Sequence, residues 1–238
     1  MTNFPEIWTF LSQEPLLWLT ATLLAYAVGD TLFLKSGKRP YVNPVLIAVV
    51  LLAVLLWVTD VSYPTYFEGA KFVHFMLGPA TVALAAPLYM NLDKVRTAAL
   101  PMIAALVAGS VTAMISVLAV AYVMGVRGEV LLSLAPKSVT APVALGVSEA
   151  IGGSPTLTAV LVILTGVMGA VMGSPLLTFL GITDWRARGF ALGVASHGIG
   201  TARAFQVNET AGAFAGIGMG LNAILTALIA PLIISLFV

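Results

Sequence analysis

Residues 97–124 pass without one charged side chain, and a bilayer crossing needs only about 20 apolar residues. This constrains the chain more than anything else in it. A backbone in hydrocarbon must satisfy its own hydrogen bonds, and only helices and closed barrels do so. Further apolar segments lie at 16–34, 45–59, 71–90, 131–150, 156–180, 189–207 and 211–238. Charged residues make up 9% of the chain, against roughly 25% in soluble domains. The sequence therefore reads as an all-α polytopic membrane protein in a lipid bilayer. A net charge of +1 points to no nucleic-acid partner. The absence of cysteine excludes disulfides and thiolate chemistry. The opening MTNFPEIWTF has no basic run before its apolar part, so no secretory signal is expected.

Two segments read badly as plain spans. Pro136, Lys137 and Pro142 interrupt 131–150, and polar residues and glycines around His197 interrupt 189–207. Charge placement bears on how they run. Basic residues cluster at Lys35, Lys38 and Arg39, at Lys94 and Arg96, and at Arg186 and Arg188. Cytoplasmic loops favour Lys and Arg, so all three clusters are expected on one side, with the N-terminus outside. Between the second and third clusters the chain must then cross an even number of times. Segments 97–124 and 156–180 supply two crossings if 131–150 enters and leaves on the same face. The expectation is about six full spans plus two broken or re-entrant helical hairpins.

A shift of sixty residues lays KSVTAPVALGVSEAIG (137–152) on HGIGTARAFQVNETAG (197–212). Val139 then meets Ile199, Ala144 meets Ala204, Val147 meets Val207, Ser148 meets Asn208 and Glu149 meets Glu209. Each unit is a broken polar segment followed by a long apolar helix. If the two enter from opposite faces they form an inverted repeat, in which transporters place a site near the midplane between discontinuous helices. The expected division is 1–125 as a scaffold and dimerisation region and 126–238 as a substrate-carrying unit, with repeats at about 131–180 and 190–238.

The candidate site follows from the broken segments. A charge at membrane depth costs about 2.5–3.5 kcal/mol even on lenient scales, so Lys137 is expected to face protein or water. Ser138 and Thr140 add hydroxyls, and the half-helix beyond them offers free N–H groups to an anion. The alternative for Lys137 is a proline-kinked helix with a lysine reaching the interface. His197, Thr201 and Arg203 form the matching set, with Gly198 and Gly200 permitting close approach. An unperturbed histidine titrates near neutral pH, so His197 suits proton coupling, or else serves structurally on a carbonyl. Arg203 can grip a carboxylate with paired hydrogen bonds. Glu149, Glu209 and Asn222 are coupling or structural candidates, and His74 reads as interfacial. There is no HExxH, Walker or GxSxG motif, no carboxylate dyad and no metal-ligand spacing, so neither an enzyme nor a cofactor or metal is expected.

LAPKSVTAPVALGVSEAIGG, LTAVLVILTGVMGAVMG and ALGVASHGIGTARAFQ resemble the signature stretches of the LrgB/CidB family. The resemblance runs from about residue 79 to the C-terminus. It is most specific in PKSVT and SHGIGTARA, and the N-terminal third matches mainly in hydropathy. It implies a holin-like or antiholin-like protein of the bacterial inner membrane, linked to murein hydrolase export and cell lysis. An LrgA/CidA-like small membrane protein is the implied partner, and a homodimer or higher oligomer is expected. The related plastid translocator moves glycolate and glycerate, and bacterial pairs are tied to pyruvate uptake. Small monocarboxylates of the pyruvate, glycolate or lactate class are thus the implied cargo, with murein hydrolase regulation as the alternative. The paired broken segments, for their part, suggest an elevator-type movement of 126–238.

Overall fold

The computed structural model describes residues 8, 11–39, 42–76, 79, 89 and 96–237. Nine helices are present among them: α1 Pro15–Lys35, α2 Pro44–Thr59, α3 Tyr63–Phe75, α4 Ala99–Val123, α5 Gly128–Leu134, α6 Ala141–Ala150, α7 Pro155–Phe179, α8 Trp185–Val207 and α9 Glu209–Ile234. Four of them, α1, α4, α7 and α9, are long and apolar enough to cross a membrane, and α2 is a shorter apolar helix. The chain is a multi-pass all-α membrane protein. Most of the expected segment 71–90 lies outside the described residues.

The chain divides into two compact units, Met1–Ala83 and Leu84–Val238. In the first, α1 is held by close approach at two glycines. A Cβ on Gly29 would lie 2.5 Å from the Pro44 carbonyl oxygen, and one on Gly69 would meet the Pro15 carbonyl oxygen at 2.2 Å. Trp18 is buried, stacks edge-on against Tyr66 at 5.9 Å and donates its indole N–H to the Ser12 carbonyl.

In the second unit α4 and α9 run side by side in the same direction. Their N-terminal halves share one core, Met102 and Leu106 with Phe214 and Ile217. Their C-terminal halves share another, Met114 and Leu118 with Ala230, Ile233 and Ile234. Each end also takes up one broken segment. Leu131 of α5, Ala135 at its C-cap and Val147 of α6 enter the C-terminal core, while Phe190 and Val194 of α8 enter the N-terminal one.

Helix α8 is two helices. Ser196 (φ −134°, ψ 17°) and His197 (φ 41°, ψ −133°) are non-helical. The packing registers give the direction of each half. Gly189 meets Ala211 and Gly193 meets Ala215, so 185–195 runs with α9. Thr201 meets Met219 and Phe205 meets Gly212, so 198–207 runs against it. The chain reverses at Ser196 and His197, and its two ends lie at one end of the bundle.

The first broken segment also returns on itself. The Ser133 hydroxyl accepts from the Ser154 N–H at 2.7 Å, and Thr158 donates to the Ser133 carbonyl at 3.0 Å, so the exit of α6 comes back to the level of α5. Two helical hairpins thus enter the bundle from opposite ends. Arg186 and Arg188 lie at the α4 N-terminal end, as the even crossing number requires.

Candidate functional site

Both hairpin tips stop at mid-depth. Ser110, Asn222 and Gly166 lie near the middles of α4, α9 and α7. A Cβ on Gly166 would meet the His197 ring at 2.7 Å, and one on Gly169 would lie 1.6 Å from the Ser196 hydroxyl. With Gly173, which faces Leu192, these glycines form one stripe of α7 that receives the second tip. Their spacing of three and four puts them on a single helix face and was readable as a packing stripe.

His197 is 4% exposed, and its Nε2 lies 2.9 Å from the Val162 carbonyl. A carbonyl only accepts, so Nε2 carries the hydrogen and Nδ1 is left as the ring's acceptor in the neutral form. The left-handed φ of a non-glycine residue costs on the order of 1–3 kcal/mol, and such strain clusters at functional sites. Thr201 spends its hydroxyl proton on the His197 carbonyl, four residues back, at 2.8 Å. Gly200 passes so close to the first half of the hairpin that a Cβ would lie 2.6 Å from the Leu192 carbonyl, whereas Gly198 is unconfined. Arg203 is half-buried, six residues beyond His197 and so about 9 Å further along the half-helix.

At the first tip Lys137 donates to the Ser138 hydroxyl at 3.1 Å. Lys137 is half-buried and Ser138 buried. Thr140 is the N-cap of α6 but makes no side-chain cap bond, and Pro142 follows in the first turn. Pro142 has no N–H, and those of Val143 and Ala144 donate to the Thr140 carbonyl, so the Ala141 N–H is the one that this start of α6 leaves outside such bonds, at the positive end of the helix dipole. The two tips meet through neighbours. Val162 packs on Val139 and Ala144 while its carbonyl takes the His197 ring. Asn222, 1% exposed, donates to the Ser138 carbonyl at 3.2 Å and to the Val194 carbonyl at 3.0 Å.

Glu149 and Glu209 are exposed and stand away from the tips, Glu209 in the first turn of α9. Among the described residues no group of three His, Asp or Glu side chains is placed to hold a metal. His74 is exposed, with its ring 6.1 Å from Phe67. Sequence reasoning did not single out Ser110, or the buried cluster in which the Thr158 and Ser148 hydroxyls lie 2.7 Å apart, Thr158 accepting there because its own proton goes to the Ser133 carbonyl. Arg188 also does more than mark a loop. It clamps the end of α7 by donating to the Ile182 and Ser174 carbonyls and the Thr178 hydroxyl. A groove of about 660 Å³ runs between α4 and 185–195, from Thr97 and Arg186 to Gly109 and Val194. Its described lining is mostly apolar and includes neither Lys137 nor His197.

Residues 22–236 match the LrgB-like family. The match begins well before residue 79, so the N-terminal third shares more than hydropathy. The chain is 34% identical over 224 residues to the "Holin-like protein CidB" of Staphylococcus epidermidis, covering 94% of this chain and 97% of that one. It is 36% identical over 216 residues to the "Uncharacterized protein YxaC" of Bacillus subtilis, covering 91% and 94%. YwbG of the same organism is 37% identical over 217 residues, covering 91% and 96%. No solved structure matches the chain.

Proposed function

The chain belongs to the LrgB-like family, and from that premise we propose that it is a membrane transporter of small monocarboxylates of the pyruvate, glycolate or lactate class. One observation carries the reading: two hairpins entering from opposite ends meet at mid-depth, with the uncapped start of α6 and Lys137 at one tip and His197 at the other. This is the arrangement expected of an inverted repeat built around a midplane anion site. Lys137, Ser138 and Thr140 would contact the carboxylate from the first tip, and His197, Gly198, Gly200 and Thr201 from the second. His197 Nδ1 is the group suited to take a coupling proton. Arg203, further from the tip, would hold the anion on its way in or out.

In this reading 126–238 carries substrate in an elevator-like movement against 1–125, which forms the scaffold and the contact between copies of a homodimer or higher oligomer. The membrane is the bacterial inner membrane, the N-terminus lies outside, and an LrgA/CidA-like protein is the partner. Labelled pyruvate and glycolate flux, measured in vesicles with and without that partner, tests it. Flux is expected in the wild type, and equal flux in the Lys137→Ala, Arg203→Ala double mutant would reject the site.

The name "Holin-like protein CidB" carried by a relative favours a second reading, an antiholin-like regulator of murein hydrolase export. That reading expects lysis phenotypes that survive loss of both cationic residues. A pore needs a polar stripe along a full span. The inward face of α7 instead carries glycines packed on the second hairpin.

A further inference from the structure

Asn222 sits where the two hairpins meet, and it uses its whole hydrogen-bonding capacity there. Its amide nitrogen donates to the Ser138 carbonyl beside Lys137 and to the Val194 carbonyl just before the reversal at His197. Its oxygen accepts from Ser110 of α4 at 2.5 Å and from Thr226, one turn along α9, at 3.3 Å. Two donors and two acceptor sites are all that a carboxamide has. Both carbonyls belong to segments whose regular helix bonding is broken, and unpaired groups of that kind are costly away from water.

We propose that Asn222 is the positioning residue that fixes the separation of the two hairpin tips, through its two N–H donors. The oxygen side of the same amide only steadies the amide against α4 and α9. The inference deepens the transporter reading by naming what sets the width of its anion site. It rests on that reading for the effect on flux, not for the effect on structure.

Asp and Ala substitutions separate the two sides of the amide. Asn222→Asp keeps an oxygen for Ser110 and Thr226 but loses both donors as a carboxylate and all but one as the neutral acid that burial favours, so at least one hairpin carbonyl loses its partner. Ser110→Ala removes one bond to the oxygen, which Thr226 still occupies. The chain has no cysteine, so spin labels can be placed at Gly146→Cys on α6 and Ala202→Cys on 198–207, both exposed positions. Distances between the labels are measured by double electron–electron resonance in the full-length protein in bilayers.

Asn222→Asp is expected to broaden or lengthen the distance distribution and to raise the KM for pyruvate at least tenfold. Ser110→Ala is expected to leave the distribution unchanged and KM within about threefold. Asn222→Gln, which restores two donors on a longer arm, is expected to narrow the distribution again at a shifted distance. An Asn222→Asp distribution matching the wild type overturns the inference, and so does equal broadening in Ser110→Ala. If Asn222→Asp does not fold, Asn222→Ser, with a single donor, is measured under the same criteria. A shifted distance in a protein that moves no carboxylate supports the tip assignment while rejecting the transporter reading.

Discussion

The two hairpins perform the same turn by different chemistry. The first reverses over six residues, 135–140, with Pro136 and Pro142 blocking helix bonding and Lys137 between them. Its base is tied by hydroxyls, Ser133, Ser148 and Thr158, all fully buried. The second reverses at Ser196 and His197 alone, and it is held by backbone-to-backbone approach at Gly189, Gly193 and Gly200. A wide turn leaves room for a charged side chain and a polar loop. A tight one stores strain in His197 and demands neighbours without side chains. The same topological device thus leaves open space at Gly146 of the first hairpin and none at Gly189, Gly193 and Gly200 of the second.

The largest test of this contrast adds an apolar side chain at one glycine of each hairpin. A Cβ at Gly193 would lie 2.0 Å from the Ala215 carbonyl oxygen and within 3 Å of two further backbone atoms, so α9 itself must retreat. Overpacking typically costs about 1–3 kcal/mol and occasionally more, and a clash with backbone atoms falls at the upper end. Gly193→Val is expected to give little folded protein, read as loss of the monodisperse peak and of the melting transition in detergent. Gly146 on α6 has nothing within 4 Å of an added Cβ. Gly146→Ala is expected to raise stability by about 0.5–1 kcal/mol through helix propensity alone. Similar melting temperatures for the two variants would remove the distinction between the hairpins.

Next in size is the division of labour between the cations. Hydrogen bonds to charged groups are worth about 1.5–3 kcal/mol, roughly ten- to a hundredfold in affinity. Lys137→Ala at the first tip is expected to weaken carboxylate uptake by that factor in KM. Arg203→Ala, about 9 Å from the second tip, is expected to lower the maximal rate more than it raises KM. Initial rates across a substrate series decide this, and the reverse pattern would put the anion on Arg203.

What the sequence disclosed divides along the same line. Composition and hydropathy made the all-α membrane class legible, and proline, lysine and glycine marked both discontinuities to within a few residues. Charge parity suggested a segment that enters and leaves on one face, and α5 and α6 pack that way. The partners of the polar residues were not legible. The Thr201 hydroxyl takes the carbonyl four residues back, as helical threonines commonly do, but no local pattern announces that this carbonyl belongs to a residue with a φ of 41°. Asn222 and Ser110 are distant in sequence, and each alone is an ordinary polar residue in an apolar helix. Their pairing follows only from both lying at mid-helix in adjacent spans. The glutamates aligned in the sixty-residue shift, Glu149 and Glu209, end up exposed. The equivalence therefore tracks chain path better than it tracks chemistry.

The bases of the hairpins give a smaller effect. Thr158→Val deletes the hydroxyl that donates to the Ser133 carbonyl and lies 2.7 Å from the Ser148 oxygen. It leaves buried partners unsatisfied at about 1–3 kcal/mol. Asn208, which aligns with Ser148, instead caps α9 by accepting from the Ala211 N–H at 3.1 Å. Asn208→Ala is expected to cost about 1 kcal/mol, the usual worth of an N-cap. Urea or thermal unfolding in matched detergent should rank Thr158→Val as the more damaging. Equal losses would mean that the hydroxyl cluster adds nothing beyond a cap.

The smallest difference lies where each hairpin enters the bundle. The first starts at Arg127, which provides no side-chain cap, and the second at Asp184, whose carboxylate accepts from the Arg186 N–H at 2.8 Å and pairs with its guanidinium at 2.6 Å. The hydrogen bonds from Arg186 hold the Asp184 carboxyl down to about 2, against roughly 3.9 for an unperturbed aspartate. A depressed folded-state value contributes stability that is present above the unfolded value and is lost as pH falls through the folded one. The loss therefore falls between about pH 4 and pH 2. Both side chains are exposed, so solvent screening keeps the contribution small. Asp184→Asn keeps a good capping oxygen and removes only the charge. Wild type and Asp184→Asn should melt within a degree or two of each other at pH 7, and any gap should close as pH falls from 4 to 2. A gap that widens on acidification would mean that the carboxylate is not the group holding the entrance of the second hairpin.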